Sequence, residues 1–94
     1  MTIAKTIANQ IGNPALFMLG AKNLIDHGDA LSFRVRGSKA VNYIKITLTP
    51  ADLYTMEFGK VWGSKYTVKN VEDGMYFDML RDAIERNTGL YTSL

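Results

Sequence analysis

The only histidine of the chain sits in its densest group of possible ligands, Asp26-His27-Gly28-Asp29. Two carboxylates and an imidazole within four residues suggest a metal ion or a proton relay. The same residues also suit a tight turn, in which Asp side chains accept from nearby backbone N–H groups. A calcium loop needs more oxygen ligands at fixed spacing and a closing glutamate, and these are missing. A turn is the expectation. His27 is the sole candidate base for a hydrolytic triad, and neither Ser32 nor Ser38 has the setting of a nucleophile elbow.

A second string, Gly59-Lys60-Val61-Trp62-Gly63-Ser64-Lys65, superficially resembles a phosphate loop. That loop needs Gly-Lys-Ser/Thr running directly into a helix. Here Tyr66 and Val68 continue a strand pattern, so a hairpin turn is expected. Asp78 and Asp82 lie four apart, the spacing of one helical face, and pairing with Arg81 and Arg86 accounts for them better than glycosidase chemistry. With no cysteine there is no disulfide, thiolate metal site or cysteine nucleophile. The inventory points to a non-enzymatic protein without metal or cofactor.

The remaining chemistry is charge interleaved with aromatic rings. Between Arg34 and Lys69 seven bases face two acids, a balance of +5. From Asn70 onward two bases face five acids, a balance of −3, and the first 33 residues are neutral. A near-neutral total of +2 thus hides a basic middle and an acidic C-terminal region.

These residues must be positioned by the elements around them. Ile3, Ile7 and Ile11 recur at helical spacing, with Thr2 as the N-cap and Gly12-Asn13-Pro14 as the stop. Leu16–Leu19 reads as a buried strand, although a short apolar run also permits a helix. Leu31, Phe33 and Val35 alternate with polar residues, as do Ile44, Ile46 and Leu48, and then Tyr54, Met56 and Phe58. Tyr66 and Val68 alternate with Thr67 and Lys69. Asp73-Gly74 opens a final helix, whose Phe77, Leu80 and Ile84 share a face and which Gly89 ends. Short turns imply antiparallel neighbours. The expected fold is α+β: a four- to five-stranded antiparallel meander, with N-terminal and C-terminal helices packed on one face of the sheet.

If the apolar positions face the helices, the open face carries Arg34, Arg36, Tyr43, Lys45, Thr67 and Lys69, with Ser32, Thr47, Thr55 and Glu57 among them. Trp62, beside the following turn, extends that surface. Cations that track phosphates, around a ring that stacks on bases, suit single-stranded nucleic acid. The candidate nucleic-acid-binding residues are therefore Arg34, Arg36, Tyr43, Lys45, Trp62 and Lys69. Two other readings stand beside this one. Lys, Arg and Thr are ordinary residents of a solvated sheet face. The acidic last helix and the apolar Leu90, Tyr91 and Leu94 suit a protein partner or a homo-oligomer instead.

The chain's 94 residues make one domain, 1–94. No apolar run reaches the length of a membrane span, and no secretory leader is evident, so a cytoplasmic protein without membrane contact is expected. Phe17-Met18-Leu19-Gly20-Ala21-Lys22-Asn23, Asn42-Tyr43-Ile44-Lys45-Ile46-Thr47-Leu48, Asp52-Leu53-Tyr54, Tyr76 to Leu80 and Thr88-Gly89-Leu90-Tyr91 resemble small proteins of bacteriophages and prophages. That resemblance implies a mobile-element protein working in a bacterial host cell, where it binds nucleic acid or modulates a host protein such as a defence factor. It implies no catalytic residue.

Overall fold

The computed structural model describes residues 2–92. Its elements are α1 (Ile3–Ile11), α2 (Asn13–Met18), β1 (Lys22–Asp26), β2 (Ala30–Arg34), β3 (Tyr43–Leu48), β4 (Tyr54–Trp62), β5 (Lys65–Met75) and, after one 3₁₀ turn over Phe77–Met79, α3 (Leu80–Thr88). The five strands form one sheet in chain order, each antiparallel to the last. This is the α+β meander that the alternation implies.

Helix α1 begins where Thr2 accepts the Lys5 N–H on its Oγ1 at 3.1 Å. Its stripe of Ala4, Ile7 and Ile11 joins Ala15 and Leu16 of α2 and Leu80, Ala83 and Ile84 of α3 in one core. The sheet contributes Leu31, Phe33, Ile44, Ile46, Met56 and Phe58 from its alternate positions. All three helices therefore cover the same face, and the other face is open. One polar tie crosses this layer: the Tyr54 hydroxyl donates to Gln10 Oε1 at 2.6 Å.

Two expectations need correction. Leu16–Leu19 is not a strand, because Asn13–Met18 is helical. Pro14 occupies the first turn of α2, where its missing N–H costs nothing, and Gly12 at φ 93° makes the hinge. The last helix also starts later than Asp73-Gly74. The β5 strand continues through both to Met75, with an irregularity in its pairing to β4 there. Asp73 accepts the Thr55 hydroxyl across the strands at 3.0 Å, so it belongs to the sheet. The expected stop at Gly89 is present, with a left-handed φ of 74° and its N–H on the Glu85 carbonyl.

Helix α3 is tied to β5 by a polar cluster. Arg86 donates from both terminal nitrogens to Glu72, at 3.0 and 3.2 Å, and from Nε to Asp82 at 3.0 Å. Asn87 also donates to Glu72. The bonds from Arg86 hold the Glu72 carboxyl below its usual range. A carboxyl depressed on folding stabilises the protein above its unfolded pKa, and that contribution disappears as pH falls through the folded value. Stability is expected to drop below about pH 4, and Glu72→Gln is expected to flatten that drop, as read from urea midpoints across the acid range. Ile46→Ala, at a fully buried position of the central strand, is expected to cost about 2–5 kcal/mol, measured as a lower urea midpoint at unchanged slope.

Candidate nucleic-acid interface: the basic end of the sheet

In an antiparallel meander, successive connections lie at alternate ends of the sheet. The start of β1, the β2–β3 loop and the β4–β5 hairpin share one end; the β1–β2 and β3–β4 turns share the other. The charges follow this geometry. Lys22, Arg34, Arg36, Lys39, Lys60 and Lys65 all belong to the first end, and Lys69 lies towards it. Asp26, Asp29, Asp52 and Asp73 belong to the second end. Glu57 lies midway, opposite Lys45. Among the described residues both ion pairs belong to Arg86, so the cations of the first end are bound to no carboxylate.

The open face is ordered in rows by the register. One row crosses the whole sheet as Lys22, Arg34, Tyr43, Gly59 and Val68. The next carries Ile25, Ser32, Lys45, Glu57 and Val71. Tyr66 reaches across between these rows. Its ring lies over Gly59, where an added Cβ would overlap it. Its edge meets Tyr43 at a centroid distance of 5.2 Å, and its hydroxyl donates to Glu57 Oε2 at 2.6 Å. Burial pushes the Tyr66 hydroxyl pKa up, and the bond to Glu57 adds to the rise. Glycine at position 59 is thus what lets two tyrosines share this face.

Beyond Gly59 the β3 strand ends, and β4 and β5 continue as a two-stranded arm. Lys60 faces Thr67, Val61 faces Tyr66 and Trp62 faces Lys65. The arm closes through Gly63-Ser64, where only Gly63 takes a positive φ, 63°, the pattern of a II′ hairpin. From Phe58 to Val71 the sequence has three lysines and no acid. Every residue from Trp62 to Val71 is exposed.

Asn42 holds the base of this arm. Its side-chain amide donates to the Val61 carbonyl at 2.8 Å and accepts the Val61 N–H at 2.7 Å. Its own N–H bonds to the Gly59 carbonyl at 3.0 Å. One side chain thereby substitutes for the next residue of β3 and satisfies the edge of β4. The Lys60 ammonium donates to the Lys39 carbonyl at 2.9 Å, which gathers the loop against the arm.

Of the six residues singled out from the sequence, Arg34, Tyr43 and Lys45 share the open face, as the alternation implies. Arg36 follows β2, its N–H on the Leu19 carbonyl at 3.0 Å, at the same end. Trp62 does not join Tyr43: alternation along β4 puts it with Phe58 and Lys60, on the opposite face. The parity of β5 is also inverted. Tyr66 and Val68 pair with Val61 and Gly59 and so lie on the open face, while Thr67, paired with Lys60, does not. Lys69 falls where the partner of β4 jumps from Val68 to Asn70, and is the extra residue of a bulge. Lys22, Lys39, Lys60, Lys65 and Tyr66 complete the basic end. The signal for three of them was the acid-free run from Phe58 to Val71.

The turn at Asp26–Asp29 forms as expected, with the Gly28 N–H on Asp26 Oδ1 at 2.7 Å. It brings His27 Nε2 within 2.7 Å of Ser32 Oγ, a pair that sequence spacing did not suggest. Ser32 is only 1% exposed, so its oxygen cannot meet a substrate, and the bond fastens the turn to β2. Among the described residues no three His, Asp or Glu side chains gather into a metal-sized group. No described helix is long and apolar enough to cross a membrane. Comparison with protein-family models, curated proteins and solved structures gives no match. The geometry therefore defines a class only: an open antiparallel sheet, helices on one face, with a charge-polarised, aromatic end.

Asn42→Ala is expected to destabilise the protein by about 1–3 kcal/mol, since the Val61 backbone groups lose both partners. Hydrogen exchange at Val61 is expected to accelerate far more than exchange at Ile44 or Ile46.

Proposed function

We propose that this protein binds nucleic acid through the basic end of its sheet. The observation that carries the reading is the gathering of Lys22, Arg34, Arg36, Lys39, Lys60 and Lys65 at one end, with no carboxylate among the described residues bound to any of them. A polyanion releases its counterions to such a surface, and this release drives sequence-independent affinity. Tyr43, Tyr66 and Trp62 stand among these cations and offer rings to bases. Lys45 and Lys69 add charge at the inner margin, although Glu57 opposes Lys45. The resemblance to bacteriophage and prophage proteins agrees with this reading and with work inside a bacterial host cell.

A second reading rests on a different observation. Tyr76, Phe77 and Met79 are exposed together on the 3₁₀ turn that precedes α3, and Tyr91 is exposed beyond the end of that helix. Such a surface suits a protein partner, for instance a host factor that the protein modulates, or a further copy of itself. Leu90 adds nothing to that surface, because it packs against the core, and Leu94 lies outside the described residues.

Fluorescence anisotropy of a labelled oligonucleotide tests the main reading. Binding at low ionic strength is expected to weaken roughly 50-fold between about 50 and 200 mM salt if roughly four phosphates are engaged. Arg34→Ala with Arg36→Ala is expected to reduce both affinity and salt slope, while Lys5→Ala, on α1, leaves them unchanged. Absence of binding by the wild type at low salt contradicts the proposal.

A further inference from the structure

The two faces of the basic end are unequal. On the open face Tyr43 is half-buried and meets Tyr66 edge-on, and the Tyr66 hydroxyl is committed to Glu57. Lys45 and Glu57 stand opposite one another at its inner margin. That face carries both signs of charge. The other face of the arm carries Lys60, Trp62, Lys65 and Thr67, with no acid in the run around them. Trp62 is 63% exposed. Nothing in the core explains so large an apolar ring there, since the residues that β4 gives to the core are Tyr54, Met56 and Phe58. Lys65 lies directly across from it, and Lys60 lies two residues back on the same face. The Lys60 ammonium, held by the Lys39 carbonyl, keeps two further N–H donors for a phosphate.

We infer that the arm binds a single strand of nucleic acid, with one base stacked on Trp62 and the flanking phosphates on Lys60 and Lys65. The inference rests on the nucleic-acid reading above and specifies the form of the ligand and the face that holds it. A duplex keeps its base faces inside the stack, and exposing one costs the energy of unstacking. A single strand has no pairing to break and presents those faces at much lower cost. The arm is also poorly equipped to read a groove. From Lys60 to Lys69 it has no Arg, Asn or Gln, whose planar groups form paired bonds to base edges, and no Asp or Glu to accept from cytosine. Lysine gives a point charge, and indole gives a flat surface that accepts any base. The ligand is accordingly bound without strong sequence preference.

Trp62 is the only tryptophan of the chain, so its fluorescence reports this face alone. The full chain is titrated with a labelled mixed-sequence single-stranded oligonucleotide, and with the same oligonucleotide annealed to its complement. Anisotropy of the label and emission of Trp62 are read together. The single strand is expected to bind more tightly and to quench Trp62. Trp62→Ala is expected to weaken single-strand binding roughly 5- to 150-fold, while Trp62→Phe retains most of the affinity. Being exposed, both variants should keep the wild-type urea midpoint, and this is checked. Tyr76→Leu, which removes a similarly exposed ring after β5 at the other end of the sheet, is expected to change affinity little. Binding with no quenching and no loss in Trp62→Ala overturns the inference while leaving the broader nucleic-acid reading intact, as does equal or tighter binding of the duplex. Binding of neither probe at low salt overturns both.

Discussion

The register of the meander is the constraint on which the rest of this structure depends. Chain-order pairing of five antiparallel strands sends alternate connections to opposite ends. Residues far apart in sequence then share an end: Lys22 pairs with Arg34, Arg34 with Tyr43, and Tyr43 with Gly59, whose strand carries on to Lys60 and Trp62. The register itself is pinned by burial. A shift of one residue would turn Leu31, Phe33, Ile44, Ile46, Met56 and Phe58 out of the core and onto the open face. The same apolar contacts that hold the helices to the sheet therefore also assemble the cations at one end.

Much of this was legible in the sequence because alternation and turn residues agree in the centre of the sheet. Leu31 to Val35 and Ile44 to Leu48 show a period of two, bounded by Gly and Pro, and the core uses those positions. Legibility failed where apolar character stopped reporting burial. Tyr66 and Val68 look like core-facing residues, yet their pairing with Val61 and Gly59 puts both on the open face, where they are exposed. The bulge at Lys69 then shifts the parity of the rest of β5, which no local pattern announces. Pro14 was similarly ambiguous: the same residue that ends one helix suits the first turn of another.

The candidate site was half legible for a related reason. Segment charges set a basic middle against an acidic C-terminal region, whereas the separation along the strand axis comes from the register, which sends Asp26, Asp29, Asp52 and Asp73 to the end opposite the cations. Arg34 and Tyr43 fell where alternation placed them. Trp62, assigned to that surface from its place beside the turn, lies on the other face, because counting along β4 puts it with Phe58. The Asn42 side chain, which joins the arm to the sheet, gives no sequence signal at all, since an asparagine before a strand reads as an ordinary turn residue.

The proposed contact with nucleic acid involves one end of the sheet and not the other. Backbone amide shifts recorded by NMR during titration with a short single-stranded oligonucleotide test it most directly. The largest changes are expected at residues 34–43 and 58–69, with residues 26–31 and 49–55 unmoved. Changes centred on the turns at Asp26–Asp29 and Thr49–Leu53, or on α3, would contradict it.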